Sequence, residues 1–280
     1  MSDAFSDPTL NPDASNAAVQ ALFNDSDTGP APTIAPQPDG FVRLPGGLVR
    51  GLDVNEVAYD AEVRELTGAD EEYIDRVRRG RGMDRFVEAV LERGVVEIGG
   101  QPVTKAVINE LLLGDAQFLL NEVRRATYGE EIEFTGFRCP GCNEELEVTI
   151  DVADIPVHPL KDTSERFFEV PLRKGAKAHV RIPRFSDLVD NTDTTPAEAR
   201  TLLLSRVVLS IEDKDGNFTP VAGSSDAARA LGLADRNSII NSLGKRTIGP
   251  AYNEVKFTHE GSCGEEVPFP VSVGDLFPDM

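Results

Sequence analysis

Slid against itself by 120 residues, the chain repeats. Leu113 to Gly129 aligns with Leu233 to Gly249, pairing Leu113 with Leu233, Asp115 with Asp235, Asn121 with Asn241, Thr127 with Thr247 and Gly129 with Gly249. Leu119-Leu120 meets Ile239-Ile240. With a few residues inserted the match continues, Phe134-Thr135 against Phe257-Thr258 and Cys142 against Cys263. Behind each of these cysteines come a Glu-Glu pair, an alternating segment and a common ending, Val152-Ala153-Asp154-Ile155 or Val273-Gly274-Asp275-Leu276. Two amphipathic helices aligned by chance would not also carry a cysteine and an Asp-apolar ending. The feature is therefore read as a duplicated unit of helix, strand, knuckle and strand. Two copies are too few for a solenoid, so they are expected to pack against each other.

The knuckles carry the chemistry. Cys139-Pro140-Gly141-Cys142 lies between two segments of period two, Ile132, Phe134 and Phe137 before it and Leu146, Val148, Ile150 and Val152 after it. Proline fixes one backbone angle and glycine frees the next, so both sulfurs can turn to one ion. In the second copy the loop reads His259-Glu260-Gly261-Ser262-Cys263, an imidazole and a thiolate four residues apart. Cys139, Cys142, His259 and Cys263 together supply three sulfurs and one nitrogen, a closed set suited to structural zinc. The competing reading of a Cys-x-x-Cys, redox catalysis, belongs at a helix start, whereas this one sits between strands. A reduced, metal-free remnant is the plain alternative. His158, beside Pro159 in a loop, and His179, in a strand, have no spacing that suggests a ligand pair.

Charge narrows the partners. The 280 residues carry 28 Lys and Arg against 48 Asp and Glu, a net charge of −20, which disfavours nucleic acid and anionic membranes. No apolar run reaches the roughly 20 residues that span a bilayer, and Met1 to Leu10 lacks a signal-peptide pattern. The chain reads as a soluble protein of the cytoplasm where it is made. With 40% apolar residues it can bury a core, and its three cysteines are too few for a disulfide scaffold.

Residues 1–40 hold six Pro, six Asp and no Lys or Arg, the composition of a flexible acidic tail. Within it Ala17 to Phe23 could form a short helix on a partner. From Phe41 a hairpin is expected, Phe41 to Leu44 and Leu48 to Arg50 joined by Pro45-Gly46-Gly47. Helices are expected from Ala69 through Val77, over Met83 to Arg93, over Val103 to Leu113 and over Asp115 to Tyr128, the last closed by Gly129. Strands follow at Phe167 to Leu172 and Ala178 to Ile182, a helix from Pro196 to about Ile211, a turn at Asp213 to Gly216 and a helix over Ala227 to Leu243. The fold class is α+β. Its parts are the tail (1–40), a helical block with an N-terminal hairpin (41–130) and a zinc-ribbon-like β module with inserted strands and helices (131–280), the second copy spanning about 230–278.

The sequence carries no familiar catalytic pattern. A zinc deaminase carries His-x-Glu before Pro-Cys-x-x-Cys; here Glu260 adjoins His259, the His follows the Cys pair, and Arg138 precedes Cys139. There is no Ser-centred elbow, phosphate-cradling loop or His-Glu-x-x-His helix. Glu144-Glu145 and Glu265-Glu266 read as solvated strand ends. Arg76, Arg78, Arg79, Arg81 and Arg85 cluster around Gly80 and Gly82, either a solvated helix end or a docking patch for an acidic protein.

Duplication and knuckles together resemble the T-even phage baseplate hub-assembly protein family and its relatives in tailed phages and contractile injection systems, often tail assembly chaperones or baseplate proteins. The shared run is Leu111-Leu112-Leu113-Gly114-Asp115 to Leu119-Leu120, Arg124 to Tyr128-Gly129, Phe137-Arg138-Cys139-Pro140-Gly141-Cys142 and Val152-Ala153-Asp154-Ile155. It covers about residues 55–160 well and 230–278 more weakly. In the family pattern both knuckles look like Cys-Pro-x-Cys; here the second keeps Cys263, with His259 nearby. The resemblance implies a non-enzymatic protein that assembles, or forms part of, the baseplate hub. Its partners would be baseplate hub or tail proteins, with a homo-oligomer open, and its place the host cytoplasm during assembly or the tail baseplate of the virion. Two other readings stay open: a zinc-dependent hydrolase or deaminase-like enzyme, and a zinc-ribbon nucleic-acid-binding module resting on the Arg76 to Arg85 cluster.

Overall fold

A computed structural model describes residues 40–50, 56–79, 82–188, 194–259, 263–264, 266–269 and 271–277. The expected tail and its Ala17 to Phe23 helix lie outside these residues. In the first half, β1 (Phe41–Val49) and β2 (Val57–Val63) pair antiparallel. Helices α1 (Gly68–Arg78) and α2 (Met83–Gly94) then lead into β3 (Val95–Ile98) and β4 (Gln101–Pro102), and the four strands form one sheet in the order β1-β2-β3-β4. Two further helices, α3 (Lys105–Glu110) and α4 (Leu113–Tyr128), precede the hairpin of β5 (Glu131–Arg138) and β6 (Glu145–Asp151), which ends in a 3-10 turn at Val152–Asp154.

Nearly the same order of parts returns, with a 3-10 turn at Phe185–Asp187 and one helix where the first half has α1 and α2. After the short β7 (Val157–His158), β8 (Phe167–Pro171) and β9 (Lys177–Arg181) pair, α5 (Pro196–Val207) follows, and β10 (Val208–Glu212) and β11 (Phe218–Pro220) complete a second four-stranded sheet, β11-β10-β9-β8. Then come α6 (Ser225–Ala230), α7 (Leu233–Gly244), the short β12 (Gly249–Pro250), the hairpin β13 (Lys256–Thr258) with β14 (Glu266–Pro268), and a 3-10 turn at Val273–Leu276. Correspondence reaches single residues. Thr104 and Ser224 cap α3 and α6 by accepting the amides of Val107 and Ala227. Leu112 and Gly232 enter the next helices at φ −60°, ψ 145° and φ −61°, ψ 146°. Gly129 and Gly249 both stand at φ +86°, a left-handed position that suits glycine. The element order thus repeats from the first strand, well upstream of the stretch where side-chain identity reveals it.

Several expectations are corrected. Phe41 to Arg50 is no hairpin: β1 runs through Pro45-Gly46-Gly47 as a bulge and pairs with β2 on both sides of it. The stretch 41–130, expected to be a helical block with an N-terminal hairpin, holds four helices among its described residues and also the whole first sheet. The helix expected over Val103 to Leu113 stops at Glu110, because Leu111 and Leu113 exchange backbone hydrogen bonds with Phe185 and Pro183. The helix from Pro196 ends at Val207, and Val208–Glu212 is a strand held between β9 and β11. The helix expected over Ala227 to Leu243 is two, broken at Leu231-Gly232.

Burial explains the assembly. In α4, Ala116, Leu119, Leu120 and Val123 fall on one face and are fully buried. They join a core that runs from Leu44 in β1 to Phe277 near the C-terminus and takes in both hairpins. Phe277 stands edge-on to Phe86 of α2 and Tyr128 of α4, at ring separations of 5.8 and 6.0 Å. A second core, Val170, Val180, Leu204, Val208 and Ile239 among its members, joins the second sheet to α5, α6 and α7. The C-terminal hairpin of the second copy is therefore packed into the core of the first. Gly114 marks another inter-copy contact: a side chain there would collide with the carbonyl of Ile248.

Candidate metal centre

The two hairpins bring their tips together. Cys139 and Cys142 stand at the turn of β5–β6; His259 and Cys263 stand at the turn of β13–β14. One donor atom from each of the four lies within 4.8 Å of the others. The Sγ atoms of Cys139 and Cys263 are 3.6 Å apart, Cys142 Sγ is 3.5 Å from His259 Nδ1, and that nitrogen is 3.2 Å from Cys263 Sγ. A tetrahedral ion with ordinary zinc bond lengths sets sulfur–sulfur edges of ~3.8 Å and sulfur–nitrogen edges of ~3.5 Å. Three thiols and an imidazole so placed fit a metal ion, zinc included.

Local backbone makes the two loops alike. In the first, the Asn143 amide donates to the Cys139 carbonyl at 2.7 Å, with Asn143 at φ +61°. In the second, the Gly264 amide donates to the His259 carbonyl at 3.1 Å, with Gly264 also at φ +61°. His259 thus takes the structural place of Cys139, in a loop one residue longer. Its other ring nitrogen, Nε2, lies 3.6 Å from the Glu144 carboxylate, so Nδ1 is the nitrogen that faces the sulfurs. The cluster is rooted inward, with Cys139 and His259 buried and Cys142 and Cys263 exposed.

Beneath the donors the hairpins are bolted by aromatic rings. Phe269, just after β14, stands edge-on to Phe134 and Phe137 of β5 at 4.6 and 4.8 Å. Each hairpin also carries a cross-strand ion pair, Arg138 with Glu145 and Lys256 with Glu266, both at 3.1 Å. All four residues expected at the site from sequence are therefore brought together; Glu144, read as a solvated strand end, also faces the imidazole, while Glu260 and Glu265 lie outside the described residues.

Other charged groups have different fates. In the arginine cluster Arg79 pairs with Asp75 at 2.9 Å, Arg85 with Glu88 at 2.8 Å, and Arg78 lies over the Phe86 ring; Arg81 is outside the described residues. His158 meets Glu254 at 3.1 Å. His179 lies close to Glu169 and Glu212, a second convergence of possible ligands that their spacing in sequence conceals.

Fold and site define a class: a tandem α+β protein whose two copies meet at a Cys3His cluster able to hold a metal ion. The chain belongs to the T4 bacteriophage base plate protein family, whose model matches residues 88–266. No curated protein and no solved structure gives a significant match. Among the described residues no helix is long and apolar enough to cross a membrane.

Proposed function

We propose that the chain is a non-enzymatic component of the baseplate hub or of its assembly, held in shape by zinc on Cys139, Cys142, His259 and Cys263. The observation that carries the reading is the four-donor cluster, drawn equally from the hairpins of both copies in a chain of a baseplate family. Four protein donors fill a tetrahedral ion and leave no position for substrate or activated water, so the ion's role is structural. Structural zinc supplies on the order of 10 kcal/mol or more, enough to fix the hairpin of β13 and β14, whose strands are three residues each, to that of β5 and β6. The acidic stretch 1–40 supplies charge for a basic partner protein, and hub and tail proteins are the partners.

Co-expression with the hub and tail-tube proteins of the same phage tests this, read by size-exclusion chromatography and native mass spectrometry. The expected result is a stable complex carrying one tightly held zinc per chain, and loss of both complex and zinc in Cys139→Ser/Cys263→Ser. A folded, zinc-loaded chain that forms no complex overturns the assembly role. A folded chain without zinc overturns the metal reading.

A further inference from the structure

Three side chains converge on the solvent face of the second sheet, away from the Cys3His cluster. Glu169 of β8 is paired directly with His179 of β9, and Glu212 of β10 with Lys177. His179 Nε2 lies 3.0 Å from a Glu212 oxygen and Nδ1 lies 3.8 Å from a Glu169 oxygen. One nitrogen and two oxygens, one from each residue, fall within 4.8 Å of one another. The Phe218 ring stands 5.3 Å from the imidazole and walls one side. Val170, Ala178 and Val180, on the opposite face, anchor the strands in the second core.

The first copy shows what an ordinary pair looks like at this place. Phe41-Val42-Arg43-Leu44 and Phe167-Phe168-Glu169-Val170 share one pattern of exposure, so Arg43 matches Glu169, and their cross-strand partners Asp60 and His179 match as well. Arg43 and Asp60 are an exposed pair of opposite charge, 4.0 Å apart. In the second copy an imidazole faces two carboxylates, and Lys177, 3.4 Å from each carboxylate, is a single ammonium set between two negative groups.

We propose that Glu169, His179 and Glu212 form a second metal site, taking a divalent first-row cation of the zinc or cobalt type. One imidazole and two carboxylates are donors suited to such ions, and neighbouring strands hold them close before the ion arrives. Lys177, half-buried and on a flexible stem, swings out as the dication takes over its role between the carboxylates. Water completes the coordination. The site is partly exposed and without sulfur, so its ion exchanges readily, unlike one held by three thiolates.

Isothermal titration of the zinc-loaded full chain with further zinc tests the proposal. A second, weaker equivalent is expected, its affinity falling tenfold or more in His179→Ala and in Glu212→Gln and rising several-fold in Lys177→Ala. Circular dichroism should show each variant folded; were His179→Ala to unfold, Glu169→Gln would serve in its place. Cobalt gives an independent readout, because thiolate coordination adds strong sulfur-to-metal absorption and the proposed site adds none. Absence of a second equivalent at about 1 mM free zinc, or one that His179→Ala leaves unchanged, overturns the proposal.

Discussion

Gly114 and Ala234 occupy the same position in the two copies, and one methyl group separates their fates. In α4 the glycine lets the backbone of Ile248-Gly249 come against the helix; in α7 Ala234 faces solvent. Gly114→Ala should therefore cost about 1–3 kcal/mol through overpacking against a carbonyl that cannot rotate away. Ala234→Gly should cost about 1 kcal/mol from helix propensity alone. Urea denaturation of the two variants checks the contrast, and equal losses would mean that the inter-copy contact is not close. Asp115, next along α4, is fully buried, accepts the Gly46 amide at 2.6 Å and lies near Arg166, which donates to the Gly46 and Gly47 carbonyls. Burial raises its carboxyl from 3.8 to about 6, against the pull of the Gly46 and Gly47 amides and Arg166. A folded pKa above the unfolded one gives a contribution that is full below about pH 4 and lost as pH rises through 6. The stability of wild type minus that of Asp115→Asn should accordingly fall between about pH 4 and 7 and then level off, and a flat difference would show that the carboxyl is not desolvated. The pairing of Asp115 with Asp235 was legible in the sequence. Their unequal burial was not, because it depends on which copy is covered by the other.

At the scale of elements, legibility followed punctuation. Helices α2 and α4 announce themselves through apolar residues at helical spacing, and α4 through its closing glycine. Strands β3 and β10 are hidden because each begins at the residue after a helix, at Val95 and Val208, with no Pro or turn cluster between. Strand β2 is hidden because register shifts at both of its neighbours blur the alternation of period two. The Cys3His site could be read because the repeat set His259 and Cys263 against the first knuckle. The Glu169, His179 and Glu212 group could not, since only a sheet register brings those positions together. The same logic identifies the residue on which the hairpins depend. Phe269 meets Phe134 and Phe137 and is buried, so Phe269→Ala should cost about 3–5 kcal/mol, measured as a fall in thermal midpoint. Phe218→Ala, on an exposed strand, should change stability by less than about 0.5 kcal/mol.

For the whole molecule, the consequence of duplication lies in how the copies share their cores. The hairpin β13–β14 belongs to the second copy by sequence and to the first by packing, and Phe277 carries it on to α2 and α4. The Cys3His cluster lies at the junction of that exchange, whereas the second core is built from its own sheet and three helices. Removal of an ion from the cluster should therefore act unevenly. Hydrogen exchange after treatment with a strong chelator should rise first in β5, β6, β13 and β14, where the donors are rooted, and next around Phe277. Strands β8, β9 and β10 should keep their protection, because neither their hydrogen bonds nor their core passes through the cluster. Uniform loss of protection would mean instead that the two cores unfold as one unit and that the ion, once bound, stabilises the entire chain by mass action.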